Sequence, residues 1–230
     1  MTPAVKICGL VRPDDAAVAV ASGARYVGAI FAGGPRVVSA AAARLVFEQA
    51  GTATRVVVVG HEPVDDIVRS AMAAGADIVQ LHGDPSARMV LDLRERWPGG
   101  IWAALRVQPQ AFDAVRAAAL FAVADGVVLD AYVPGALGGT GIALDWRALQ
   151  APLTALRAAD DATAMLVLAG GLTPENVRLG IQLLAPDVVD VSSGVESAPG
   201  IKDQMRVRRF ITAARGDSAG DEQLSFAGVQ

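Results

Sequence analysis

Cysteine is nearly missing from this 230-residue chain: Cys8 is the only one. A single thiol cannot close an internal disulfide and cannot supply a Cys-based zinc site. Histidine is almost as scarce. His61 and His82 stand well apart, which argues against a metal centre built on imidazoles. No apolar run approaches transmembrane length. Met1 to Ala4 holds no basic segment leading into an apolar one, so no secretory signal is expected. Neither sign of charge dominates: the net charge is −4, with acids and bases mixed along the chain. That balance offers no surface for nucleic acid or membrane. Two nucleotide signatures are also missing, because no G-x-G-x-x-G follows the first strand-like run and no Walker A motif occurs. The expectation is a soluble protein of a reducing, cytoplasmic compartment that carries no metal or cofactor.

What the chain has in quantity is apolar residues, 53% of the total and rich in Ala and Val. That is ample for a core and excludes a disordered chain. The length suits one sizeable α/β domain or two small ones, and no break in composition marks a boundary between domains. Short apolar runs alternate with longer segments of helical period. The runs are continuously apolar rather than alternating, as in strands buried on both faces. They begin at Val5, Arg25, Thr54, Asp77, Ile101, Asp125, Met165 and Val188. The helices expected between them include one starting at Pro109, one or two short ones over Leu144 to Arg157, and one starting at Pro174 behind a Thr173 cap. Eight such units predict a single-domain (β/α)8 TIM barrel over residues 1–215, with 216–230 as a loose tail. An open doubly wound sheet is the alternative, and it fits less well without a glycine fingerprint in the first turn.

The polar residues that interrupt or end these runs are the candidates for chemistry. In a parallel barrel the C-terminal ends of the strands carry the active site. Cys8, His82, Asp130 and Asp190 fall at or near such ends, and Arg36 sits in the loop after the second. Each also has a plain reading. Cys8 can be a small buried hydrophobe, Asp190 a paired core acid, Asp130 a turn cap, His82 a satisfied polar residue and Arg36 a surface charge. Gly170-Gly171 and Ser193-Gly194 occupy the loops after strands seven and eight, the pair that frequently binds phosphate in barrels.

Read together, these residues resemble the phosphoribosylanthranilate isomerases of tryptophan biosynthesis. The resemblance rests on Lys6-Ile7-Cys8-Gly9-Leu10, Gln80-Leu81-His82-Gly83, Leu129-Asp130 and Gly138-Gly139-Thr140-Gly141 with Asp145-Trp146. It continues through Ala169-Gly170-Gly171-Leu172 with Pro174-Glu175-Asn176-Val177. It ends with Val189-Asp190-Val191-Ser192-Ser193-Gly194-Val195-Glu196 and Lys202-Asp203. It implies a (β/α)8 barrel that performs an Amadori rearrangement of a phosphosugar-anthranilate without metal or cofactor, as a monomer or homodimer. It further implies Cys8 as general base and Asp130 as general acid. Arg36 would bind the anthranilate carboxylate, Asp190 and His82 would line the pocket, and Gly170, Gly171, Ser193 and Gly194 would hold the phosphate. Such a base needs a neighbour that favours the thiolate, and Lys6, two residues away on the same strand face, is one candidate. Two departures stand out. The loop Phe31-Ala32-Gly33-Gly34-Pro35-Arg36 is shorter than is usual in the family and lacks its serine. Val59-Gly60-His61 replaces an aromatic and an asparagine. Other phosphosugar barrels fit worse: an epimerase wants more metal ligands, and an indole-glycerol-phosphate synthase wants catalytic lysines and a longer N-terminal segment. A barrel that only binds a phosphometabolite would not need Cys8 opposite Asp130.

Overall fold

Each strand pairs in parallel with the next, and the first closes on the last. In order these are β1 (Ala4–Ile7), β2 (Tyr26–Ile30), β3 (Thr54–Val59), β4 (Ile78–Leu81), β5 (Gly100–Val107), β6 (Gly126–Ala131), β7 (Met165–Leu168) and β8 (Val188–Val191). The computed structural model describes residues 2–107, 112–131, 144–159 and 162–216. The expected tail after residue 216 and the glycines Gly135, Gly138, Gly139 and Gly141 lie outside the described residues. Around the barrel stand α1 (Pro13–Ala21), α2 (Ala40–Glu48), α3 (Val64–Ala74), α4 (Ala87–Arg94), α5 (Ala114–Val123), α6 (Trp146–Arg157), α7 (Val177–Leu184) and α8 (Gln204–Arg215).

The strands are mostly apolar because both faces are covered. Outward residues such as Val27, Val57, Leu81, Leu105, Leu129, Leu168 and Val189 join the helices in one large core. Inward residues form a second, separate cluster of Val56, Ile78, Trp102, Val128, Val167, Ala169 and Val188. Trp102 fills most of the barrel floor, with Tyr26 tilted against it at 5.0 Å between ring centroids. Gly126, its neighbour across the β5–β6 ladder, makes room for the indole. A Cβ there would lie 2.7 Å from the ring.

The expected helices differ from the observed ones mainly at their starts. The Asp113 carboxylate accepts the N–H of Arg116 and caps α5, which begins at Ala114; Pro109, the expected start, lies outside the described residues. Over Leu144 to Arg157 there is one helix, α6. It is capped by Asp145 and continues through Pro152. After β7 the side chain of Asn176 accepts from the Thr173 N–H and donates to the Gly171 carbonyl. That local turn uses up residues 174–176, and α7 starts at Val177. Beyond β8 a 3-10 turn at Ser193–Val195 leads into a small hairpin, β9 (Glu196–Ala198) and β10 (Ile201–Lys202), which sequence periodicity does not reveal.

The lower end of the barrel is fastened by a repeated device. Asp77, Asp125 and Asp187 each stand just before an even-numbered strand. Each accepts the backbone N–H near the start of the preceding strand: Arg55, Ile101 and Leu166 respectively. An arginine completes each site, through Arg55, Arg94 and Arg157. These are charge-assisted bonds to main-chain groups that otherwise lack a ladder partner. Asp125→Ala should therefore lower stability by about 1–3 kcal/mol in denaturant titration while leaving turnover by folded protein unchanged. An unchanged unfolding midpoint would remove this role.

Candidate active site

Strand period decides what reaches the barrel axis. Lys6 and Cys8 on β1, Gln80 and His82 on β4, and Asp190 and Ser192 on β8 are spaced by two, so each pair shares one face. Lys6 and Asp190 are also register partners across the β1–β8 ladder. The result is layered. The apolar floor around Trp102 lies lowest. Above it is a buried polar group in which Lys6 Nζ donates to Asp190 Oδ2 and to Gln80 Oε1, both at 2.7 Å. The ammonium stands 5.8 Å from the centre of the Trp102 ring. Cys8, His82 and Asp130 come next, at the mouth.

The mouth holds a cavity of about 460 Å³. All nine residues singled out from sequence line it: Cys8, Arg36, His82, Asp130, Gly170, Gly171, Asp190, Ser193 and Gly194. On one wall, Asp130 Oδ1 accepts the N–H of Ala131 at 2.9 Å, and Oδ2 lies 3.3 Å from His82 Nε2. Gln80 lies behind, with its amide nitrogen 3.4 Å from His82 Nδ1. The loop glycines are required here. Gly170 and Gly171 have φ of +78° and +67°. A Cβ on Gly170 would press within 2.9 Å of Asp130 Oδ1 and the Ala131 nitrogen. A Cβ on Gly194 would collide with the Leu172 carbonyl. The loops after β7 and β8 therefore touch each other, and the first of them touches Asp130.

Burial dominates the electrostatics. It pushes the Cys8 thiol up from its ordinary 9.0. Lys6 offsets part of that shift, Asp190 adds to it, and Lys202 again offsets. For Lys6, burial alone would pull the ammonium down, but the charges of Asp190 and then Cys8 reverse this and hold it above 10.5. Asp190 Oδ1 has no partner among the described residues, although the side chain lines the cavity.

Arg36 is at the rim, but its fork is engaged. Nε and Nη2 donate to the two oxygens of Glu196 at 2.8 and 2.7 Å. Lys202 Nζ donates to the same carboxylate at 2.7 Å and to the Ser192 carbonyl at 3.1 Å. Gln80, Glu196 and Lys202 were not among the candidates read from sequence. Gln80 had a signal, as a polar residue in an apolar strand two positions before His82. Glu196 and Lys202 had a weaker one, because Pro199-Gly200 between them marks a turn that brings them together. Among the described residues no group of three or more His, Cys, Asp or Glu is placed to hold a metal ion, and no helix is long and apolar enough to cross a membrane.

Comparison with known proteins agrees with this arrangement. Residues 5–213 match the family described as N-(5'-phosphoribosyl)anthranilate (PRA) isomerase. The chain is 39% identical over 217 residues to the N-(5'-phosphoribosyl)anthranilate isomerase of Cellvibrio japonicus, with 94% of each chain covered. It is 40% identical over 214 residues to that of Hyphomonas neptunium, covering 92% of this chain and 96% of the relative. Among solved structures, the phosphoribosyl anthranilate isomerase of Thermotoga maritima superposes with a TM-score of 0.81. Its identity is 34%, over 93% of this chain and 99% of that one. A phosphoribosyl anthranilate isomerase in complex with reduced 1-(o-carboxyphenylamino)-1-deoxyribulose 5-phosphate gives 0.78 at 32% identity, with the same coverage. By sequence, by fold and by the residues gathered at the barrel mouth, the chain belongs to the N-(5'-phosphoribosyl)anthranilate isomerase family.

Proposed function

We propose that this isomerase converts N-(5-phosphoribosyl)anthranilate to 1-(2-carboxyphenylamino)-1-deoxyribulose 5-phosphate in the mouth cavity, with Asp130 as general acid and Cys8 as general base. The observation that carries this reading is that one cavity is lined by a thiol, a carboxyl group and two glycine loops at the ends of four different strands. Asp130 donates a proton to the ring oxygen as the C1–O bond breaks, and the nitrogen lone pair forms an iminium. That cation acidifies the C2–H. The Cys8 thiolate takes the C2 proton, the electron pair moves to give a neutral enolamine, and tautomerisation yields the ketose. Burial favours the neutral thiol, and the positive charge of the iminium offsets this in favour of the thiolate that takes the C2 proton.

The remaining residues fit binding roles. The backbone N–H groups of Gly170 and Gly171 take no backbone acceptor among the described residues, which suits them to phosphate oxygens. Ser193 and Gly194 face them across the same cavity. Arg36 would read the anthranilate carboxylate, while His82 and Asp190 would line the reacting centre. A reducing cytoplasm suits a mechanism that needs a free thiol.

Freshly prepared N-(5-phosphoribosyl)anthranilate should lose its anthranilate-type fluorescence on adding the protein, with no metal or cofactor supplied. An inert parent protein would sink the assignment. Gly194→Ala should raise KM about tenfold or more with a smaller change in kcat, because the added Cβ displaces the loop against Leu172. An unaltered KM would remove that loop from phosphate binding.

A further inference from the structure

The Arg36 fork poses a question of geometry. Its loop contains Gly33 and Gly34, where an added Cβ would meet nothing within 4 Å, so these two positions give the side chain no packing. The stem passes over Gly9, where an added Cβ would lie 2.7 Å from Arg36 Cδ and 2.7 Å from Ser192 Oγ. What fixes the guanidinium is Glu196, through two parallel bonds, and Glu196 is in turn held by Lys202. Lys202 is buried and tied to the Ser192 carbonyl, and its own N–H donates to Asp15 Oδ2 at 3.2 Å. The relay therefore runs from the loop after β8, through the β9–β10 hairpin, to the loop after β2.

We infer that Glu196 is a positioning residue that presets the Arg36 guanidinium at the cavity rim, so that carboxylate selectivity is a property of the Lys202–Glu196–Arg36 relay. The inference rests on the reading of Arg36 as the carboxylate ligand. Two physical arguments support it. The bidentate pair uses two N–H groups on one edge of a planar fork, so the remaining N–H groups keep one direction. An unrestrained arginine would lose rotamer freedom when the ligand binds; Glu196 has removed that loss in advance.

The test compares two stable product-type ligands, 1-(2-carboxyphenylamino)-1-deoxyribulose 5-phosphate and its phenylamino analogue lacking the carboxylate. The ratio of their dissociation constants is read by fluorescence titration of the full-length protein. That ratio does not change with the fraction of folded protein, so a merely structural role would leave it alone. The parent should favour the carboxylated ligand by about tenfold or more. Glu196→Gln should bring the ratio below about threefold, and Arg36→Met should do the same. The double variant should be no worse than Arg36→Met. Arg36→Lys keeps the charge but cannot make the fork, and it should also lose the preference. If Arg36→Met loses the preference while Glu196→Gln or Arg36→Lys keeps the parental ratio, the positioning role is overturned and the carboxylate ligand stands. If Arg36→Met itself keeps the ratio, the reading of Arg36 fails.

Discussion

Replacing Cys8 with alanine should lower kcat/KM by about 10²–10⁴-fold, and Asp130→Asn should do the same. Cys8 is the only thiol in the chain, and it is buried where β1 opens into the cavity. Alanine removes the sole proton acceptor available on that strand end. Asparagine keeps the shape of Asp130 and its bond from Ala131 but has no acidic proton to give. Neither change should unfold the protein. The thiol sits against Gly28, where an added Cβ would lie 2.9 Å from Sγ, and losing one such atom costs on the order of 1 kcal/mol. The measurement is steady-state turnover beside a thermal melt. The melts should stay close to the parent while turnover collapses. A Cys8→Ala protein turning over within about threefold of the parent would remove Cys8 from the chemistry.

Lys6→Met should cost about 3–5 kcal/mol of stability, the usual consequence of stranding one member of a buried ion pair. Lys6 is wholly buried and holds Asp190 and Gln80 at 2.7 Å. Methionine fills the stem's volume but leaves the buried Asp190 carboxylate without its cation. The companion change Asp190→Asn should restore part of the loss, and a melt of each variant checks this. The folded Lys6 ammonium is held above 10.5, so its stabilisation is complete below that value and disappears as pH rises through the folded value. The parent should therefore lose stability more steeply than the variant above about pH 10.5. The second consequence is kinetic. Lys6 is the largest influence offsetting the burial of Cys8. Without it the thiol moves further up, and the alkaline rise of kcat/KM should shift to higher pH, with less activity at neutrality. A variant with the parental melt and an unmoved pH profile would contradict both arguments.

The order of elements was readable because each depends on neighbours in the chain. Four consecutive valines in β3, glycine after α3 and serine before α2 are local choices with local reasons, and the structure keeps them. Helix starts were less legible where two caps competed. Asn176 displaced Thr173 as the residue that organises the turn, because its side chain can accept and donate at once. The β9–β10 hairpin was missed because strands of three and two residues carry no periodicity to detect.

The site divides along the same line. Strand period alone puts Lys6 with Cys8 and Gln80 with His82 on inward faces, and the order of motifs fixes which loops meet at the mouth. Which charges then pair depends on barrel closure. Lys6 and Asp190 are 184 positions apart and become ladder neighbours only when β8 returns to β1. Arg36 and Glu196 are 160 apart and meet only because the hairpin folds back over the rim. Sequence placed Cys8, Asp130 and the two glycine loops at one end of the barrel, since each is a residue type at the end of a strand. Closure of the barrel and the return of the β9–β10 hairpin determined what each of them faces, and so the charges around Cys8 and Arg36, because Coulomb energies follow distances that no local pattern specifies.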